Sequence, residues 1–298
     1  MDYFGNYLSL GVAIDDKCSI ILVYINHHFL GETSMLKFSN ANAKIQALKQ
    51  VPELAHYLRG KRKVFSFDLL SGHSCPFASD CLSKAVQLET GKRKIKDGPE
   101  TQFRCFSASQ EVQYTNVYNI RKGNFDTLRD METSDDMAYA IAHAMPDNAG
   151  IVRIHVGGDF FNFKYFLAWC KVAFDNPQIL FYAYTKSLNF WLRAAKVDAI
   201  PENLVLTASR GGRLDHLIDE HNLRESVVVK SVGEATDLGL EIDHTDELAA
   251  IPSLRHQSFA LLIHGTQPKG SDSAAALKLL KKNNVKHSYS KKRNTTMK

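Results

Sequence analysis

The chain has 298 residues, of which 44% are hydrophobic and 23% charged, ordinary values for a globular protein with a sizeable core. That balance excludes a collagen, a disordered tail protein and a disulfide-stapled miniprotein. The formal net charge of +5 is unevenly spread. Residues 281–298 hold Lys281, Lys282, Lys286, Lys291, Lys292, Arg293 and Lys298 with no acid, leaving 30 bases against 32 acids over residues 1–280. Residues 285–298 therefore read as a basic, flexible tail. Such a tail binds nucleic acid by counterion release or stays solvated, and a nucleic acid or nucleotide is the expected partner. No apolar run approaches the ~20 residues of a membrane helix, so no membrane is expected. The start, MDYFGNYLSL, has no basic residue and does not read as a secretory leader. The expected location is cytoplasmic.

In chain order, residues 1–60 read as a small β/α lead-in packed on the core. CSIILVYINHHFLGE predicts one or two strands near a hairpin, with His27 and His28 at the surface. NAKIQALKQVPELAHYL has helical spacing, with Asn42 as cap and Pro52 breaking or restarting the helix. VFSFDLL (64–70) predicts a strand running into SGHSCP. A polar stretch over 71–126 follows as a cysteine-containing insertion with little periodicity. Residues 128–146 predict a helix ending before Pro146. Strands are then expected at 151–156, 179–184, 204–209, 226–232 and 258–264. Helices are expected at 164–174, 187–197, 213–223 and 271–283, the last capped by Ser or Asp.

Near-continuous apolar strands alternating with helices imply a parallel sheet covered on both faces. The expected fold is α/β: an incomplete, TIM-like parallel (β/α) barrel of about six strands over residues 61–284. In such folds chemistry gathers at the C-terminal ends of the strands. The residues there are Gly72, His73 and Cys75; Gly157, Gly158 and Asp159; Thr185, Lys186 and Ser187; Ser209, Arg210, Gly211 and Gly212; and His264, Gly265 and Gln267.

Five cysteines, an odd number, argue against a disulfide framework. Cys18 and Cys170 adjoin apolar runs and read as small buried hydrophobes. Cys75, Cys81 and Cys105 lie in polar, turn-rich sequence, separated by five and then 23 residues. Three thiolates on a loop suit a [4Fe–4S] cluster with one iron left open. Zinc held by the same thiolates and His73 is the competing metal site, and three unrelated thiols the plain alternative. Gly157 and Gly158 allow a ligand close to the backbone, and Asp159 can accept from an amine or ribose, or simply cap a helix. His155, Tyr182, Tyr184 and the aromatic run FFNFKYF (160–166) read as core. Arg121 and Asn124 in VYNIRKGNF read as a substrate contact or a capped turn.

The segments HSCPFASDCL, FRCFSA, VRIHVGGDFFNFKYFLAWCKVAFDNP, FYAYTKSL and SRGGRLDHL resemble, in order over roughly residues 38–285, the bacteriophage gene 88 protein family. Members carry Cys-Pro-x-Ala-x-x-Cys, a third Cys followed by an aromatic and Ala, an Arg-x-His-x-x-Gly-Asp-Phe strand end, and Phe-Tyr-Ala-Tyr-Thr-Lys. The third cysteine departs from the pattern. The family usually places it three residues after the second, whereas here Lys84-Ala85 fill that region and Cys105 follows an insertion.

A more distant, architectural similarity is to radical S-adenosylmethionine enzymes, with cluster cysteines after strand one and a Gly-Gly-Glu-like turn after strand two. That similarity implies an enzyme in which Cys75, Cys81 and Cys105 hold the cluster and Gly157, Gly158 and Asp159 receive the methionine amine. Lys186 or Arg210 would pair with a carboxylate or phosphate, and Ser209 with the ribose or carboxylate. A phage-encoded enzyme acting on nucleotide or nucleic acid in the host cytoplasm is expected; a zinc-stabilised nucleic-acid-binding protein without catalysis is the alternative.

Overall fold

The computed structural model describes residues 36–285 and, nearer the N-terminus, residues 9–14 and 20–25. Two compact units divide between Ser34 and Met35. In the first, β1 (Ser9–Ile14) and β2 (Ile20–Ile25) pair antiparallel, with Ser9 opposite Ile25 and Ile14 opposite Ile20. Cys18, His27, His28 and residues 286–298 of the basic tail lie outside the described residues.

The second unit runs β3 (Ser39–Asn40), α1 (Ala43–Gln46), β4 (Lys63–Phe67), β5 (Ser83–Gln87), β6 (Arg93–Asp97), α2 (Phe106–Gln113), α3 (Thr115–Arg129), α4 (Ser134–Ala144), β7 (Ala149–Ile154), α5 (Phe163–Asp175), β8 (Leu180–Thr185), α6 (Leu188–Ala195), β9 (Leu204–Ser209), α7 (His216–Glu220), β10 (Glu225–Val229), α8 (Val232–Asp237), β11 (Glu241–Ile242), α9 (Glu247–Ala250), β12 (Phe259–Leu262) and α10 (Asp272–Lys282). Asn42 caps α1 by accepting from the N–H groups of Lys44 and Ile45. Two 3-10 turns follow, the second opening at Pro52. Ser271 caps α10 through the Ala274 N–H.

The fold is α/β with a mostly parallel central sheet. The six apolar runs expected as strands are β4, β7, β8, β9, β10 and β12, and they stand side by side in chain order. Each returning chain thus lands beside the strand it left. Two short strands were not expected: β3, antiparallel to β4, and β11, parallel to β12. These two are the edges of an eight-stranded open sheet. A closed, TIM-like barrel is not formed among the described residues, because β3 and β11 do not pair with each other.

Both faces of the sheet are covered, which is why its strands carry almost no exposed position. Phe65, Phe67, Val152, Ile154, Phe181, Ala183, Leu204 and Leu206 face one core, closed by α4, α5 and the flanking aromatics around Trp169. Val64, Ile151, Leu180, Tyr182, Val205 and Phe259 face the other. There Ile45, Leu48, Val51 and Leu54 cover them from one side and Leu248–Ile251 from another. Residues 36–58 of the expected lead-in are therefore an integral part of the second unit: Ile45, Leu48, Val51 and Leu54 cover one face of the sheet, and Leu36 packs in the core on the other. Phe160, Tyr165 and Phe166 are buried in the outer core, as is Cys170.

Two helical expectations need correction. The predicted helix 128–146 is the end of α3 and then α4, separated where Thr133 caps the Asp136 N–H at 3.0 Å. The stretch 71–126 is not irregular: it holds β5, β6, α2 and most of α3. Its helices bury polar residues, so their period is hidden from a hydrophobicity pattern. Among the described residues no helix is long and apolar enough to cross a membrane. Asn162 caps α5, accepting from the Tyr165 N–H at 2.8 Å. Asn162→Ala is expected to cost about 1 kcal/mol, read as a lower urea midpoint at unchanged m-value.

Candidate functional site

The candidate site is the C-terminal rim of the sheet, where four strand-following loops hold the cysteine segment. After β4 the chain turns at Gly72 (φ 70°), where an added Cβ would lie 2.4 Å from the Ser83 carbonyl oxygen. The Gly72 N–H donates to Cys75 Sγ at 3.3 Å. Residues 77–80 then lie across the loop after β9. Arg213 N–H donates to Phe77 O at 2.9 Å, and Asp80 N–H to Gly211 O at 3.0 Å. Gly211 stands at φ 95°, a conformation that favours glycine, and a Cβ there would lie 3.0 Å from the Asp80 carboxylate.

The insertion before Cys105 does not separate it from the other two cysteines. β5 and β6 form an antiparallel hairpin, Ser83 opposite Asp97, that returns the chain to its starting point. Cys105 N–H donates to Ser83 Oγ at 3.3 Å. The loop after β12 completes the hold. Gln267 accepts from Arg104 N–H at 2.8 Å and donates to the Arg104 carbonyl at 3.1 Å. The Phe106 and His264 rings stand 4.7 Å apart.

The three thiols lie in one another's electrostatic range. Burial raises the Cys75 thiol well above its ordinary value, with Asp159, Cys105 and Cys81 adding to the effect. Burial also raises Cys81, which Lys186 partly offsets. Cys105 is pushed up to about 11 by burial and by Cys81, against the N–H groups at the start of α2. Three thiolates here need added positive charge, which a metal centre supplies. By residue type three thiols are soft donors of the kind that hold zinc or iron–sulfur centres. Among the described residues no group of three or more His, Cys, Asp or Glu side chains is placed to hold a metal ion. His73 turns its Nε2 to the Ala85 carbonyl at 3.2 Å.

The loop after β7 abuts the first cysteine. His155 ends the strand in the left-handed region (φ 68°) and is buried, paired with Tyr165 Oη at 2.9 Å. Burial, with Arg153, lowers it to about 3, so it is neutral. Gly158 (φ 94°) packs against Leu69 and Ser74, each 2.7 Å from an added Cβ. Gly157 makes room for a protein group, the Arg121 guanidinium, whose Cζ would lie 2.7 Å from an added Cβ. Asp68 Oδ1 accepts from the Val156 and Gly157 N–H groups at 2.5 and 3.1 Å.

Asp159 is buried and ties two strand ends together. Its Oδ1 accepts from Thr185 Oγ1 at 2.6 Å and Phe160 N–H at 2.7 Å, and its Oδ2 from Lys186 N–H at 2.8 Å. Burial raises it to about 6 against those bonds. Lys186, Ser209 and Arg210 are also brought together. Lys186 Nζ donates to the Ser209 and Arg210 carbonyls, both at 2.7 Å, and to Ser209 Oγ at 3.1 Å. The Arg210 guanidinium turns to Glu225 and to Asp219, the latter at 2.7 Å. Both cations thus hold protein acceptors.

Sequence reasoning missed the polar support beneath this rim. Arg121 and Asn124 sit on α3, not on a capped turn. Arg121 Nη1 meets Glu111 Oε1 at 3.0 Å, with both side chains buried. Glu111 in turn accepts from Ser71 N–H at 3.0 Å and Ser71 Oγ at 2.7 Å. Asn124 donates to the Asp68 and Lys37 carbonyls at 3.0 and 2.9 Å. The available signal was the helical spacing of Ser107 with Glu111 and of Arg121 with Asn124 in a segment without apolar periodicity.

An open, mostly parallel α/β sheet with a three-cysteine rim defines the class of protein. The chain belongs to the Gene product 88 family, whose model matches residues 34–283. The Gene 88 protein of Mycobacterium phage L5 is 31% identical over 90 residues, covering 28% of this chain and 38% of that relative. The chain thus matches well under two-thirds of the length of this curated relative. No solved structure matches.

Proposed function

We propose that the protein is an iron–sulfur enzyme of the radical S-adenosylmethionine type, built on an open (β/α) half-barrel and working on nucleotide or nucleic acid in a host cytoplasm. The observation that carries this reading is that the Cys105 N–H bonds Ser83 Oγ, two residues after Cys81, while Ser74 Oγ, beside Cys75, accepts from the Asp159 N–H at 3.4 Å. The sequential strand order, with cysteines after the first strand and the glycine turn after the second, supports it further. Three cysteines leave one iron of a [4Fe–4S] cluster open, and His73, the fourth ligand a zinc site would use, turns its Nε2 to the Ala85 carbonyl at 3.2 Å.

When bound, such a cluster supplies one-electron chemistry to S-adenosylmethionine. The chain's own residues bind and orient. Asp159 Oδ2, holding one N–H bond, keeps acceptor capacity for an amino group. Lys186 fixes the ends of β8 and β9 in register, so that Ser209 Oγ, which accepts from it, can donate its proton to a carboxylate or ribose. Gly157 and Gly158 keep the turn thin enough for Arg121 on one side and Ser74 on the other.

Anaerobic purification with iron, sulfide and zinc analysis and an absorption spectrum tests this. Brown protein with about four irons per chain is expected, lost in each of Cys75→Ala, Cys81→Ala and Cys105→Ala. S-adenosylmethionine with a reductant should then yield 5′-deoxyadenosine. Colourless protein with about one zinc would overturn the reading in favour of a zinc-stabilised nucleic-acid-binding protein.

A further inference from the structure

We propose that the outer face of the β5–β6 ribbon docks duplex DNA. The ribbon is the segment that separates Cys81 from Cys105. Its register sets Lys84 opposite Lys96 and Val86 opposite Lys94. Strand alternation adds Leu88 and Lys92 to the same face. The other face is anchored to the body. Ala85 is buried with Leu70 and Tyr118. Arg93 donates to the Glu111 carbonyl at 2.9 Å and to Thr115 Oγ1 at 2.8 Å, with its guanidinium 4.8 Å over the Tyr118 ring. Lys92, Lys94 and Lys96 are thereby held outward on a fixed support, with Lys84 on the same face and its stem against Gly72.

Their charge is unspent. Lys92, Lys94 and Lys96 are exposed and Lys84 is half-buried. Ion pairs of the described residues include none of the four. The one acid between Lys84 and Lys96 is Glu89, at the turn. Asp97, beyond it, is taken by Arg104 and Ser83. Like charges directly opposite destabilise a ribbon, so the Lys84–Lys96 pair is a cost that a bound polyanion removes.

The shape of the surface selects the polyanion. No aromatic residue lies between Ser83 and Asp97, so the ribbon lacks the stacking platforms that hold unpaired bases. A two-stranded ribbon enters the major groove of B-DNA. Five-residue strands run about 17 Å, and lysines two residues apart stand about 7 Å apart along a strand. Val86 and Leu88 offer apolar contact to thymine methyl groups. Because the ribbon springs from the cysteine segment, docked DNA would lie next to the rim. That last step rests on the proposed enzyme reading; the docking itself does not.

Fluorescence anisotropy of the full chain with a short labelled duplex, across a salt series, tests the proposal. Replacing Lys84, Lys92, Lys94 and Lys96 together by Gln should weaken duplex binding by at least about tenfold and lower the slope of log affinity against log salt by about 3–4. The four-fold Lys→Arg variant should retain both. Since Lys92, Lys94 and Lys96 are exposed and glutamine keeps the inner part of the Lys84 stem, circular dichroism should show an unchanged fold. Glutamine at Lys286, Lys291, Lys292 and Arg293 should leave the ribbon-dependent loss in place. Duplex binding that persists in Cys75→Ala protein separates docking from the metal reading. An unchanged slope in the four-fold Gln variant, loss confined to the tail variant, or tighter binding of the matching single strand would each overturn the proposal. The first of these would mean that the lysines only guard an open ribbon edge.

Discussion

Asp246→Ala is expected to destabilise the second unit by about 3–5 kcal/mol, the cost of leaving buried charge without its partner. The Asp246 carboxylate is buried and serves two cations. Lys44 Nζ stands 2.7 Å from Oδ1, Arg153 bonds Oδ2, and Tyr182 Oη donates to Oδ2 at 3.1 Å. These come from α1, β7 and β8, so one carboxylate joins the inner layer to two central strands. Burial opposes the charge, but Arg153 and Lys44 outweigh it and hold the carboxyl below its ordinary range.

The sign of the pH effect follows. A carboxyl depressed in the folded state contributes its full stability above its unfolded value of about 3.9, and loses it as pH falls through the lower folded value. Asp243 is pushed the opposite way by burial and by Asp246, so its ionisation works against stability and does not supply this acid limb. Urea unfolding across an acid pH series should show stability falling towards low pH in the native chain. Asp246→Asn, which keeps the volume, should be less stable near neutrality and flatter in acid. A loss below about 1 kcal/mol, the range of a surface pair, would refute the buried cluster.

Arg121→Ala should cost a similar amount, about 3–5 kcal/mol, for the same reason on the other side of the sheet. Glu111 would keep a fully buried carboxylate with no cation against it. Removing both members does not restore everything. Ser71 N–H and Oγ also end on Glu111, and an orphaned buried donor costs about 1–3 kcal/mol. Arg121→Met with Glu111→Gln should therefore recover more stability than Arg121→Met with Glu111→Leu, because glutamine still accepts from Ser71. Equal recovery in the two double variants, measured as urea midpoints at constant m-value, would show that the Ser71 bonds carry no weight. Because Ser71 opens the cysteine segment, the order of the loop that carries Cys75 depends on this pair.

The six main strands and the loops that end them were legible in the sequence. An apolar run covered on both faces has few other ways to be buried, and glycine or proline marks where it stops. The cap residue Asn42 was equally plain, and Ser271 was one of the two residue types offered for the last helix, since such side chains act within a few residues of themselves. The layer formed by residues 41–54 was read as helical, but its membership in the main core depends on distant strands.

Local chemistry in the sequence thus determined the strands, their order of appearance and the identity of the three cysteines. Tertiary structure alone decided that a hairpin returns Cys105 to Ser83, that Gly157 accommodates Arg121, and that Lys186 and Arg210 turn their charge inward. Tertiary structure also decided that the sheet stays open, because β3 and β11 finish its two edges. The reason is common to all four. Apolar patterning is periodic and short-ranged, and can be read along the chain. A polar partner is chosen by proximity in space, here across separations such as the 163 residues between Arg104 and Gln267, and nothing in the linear order announces it.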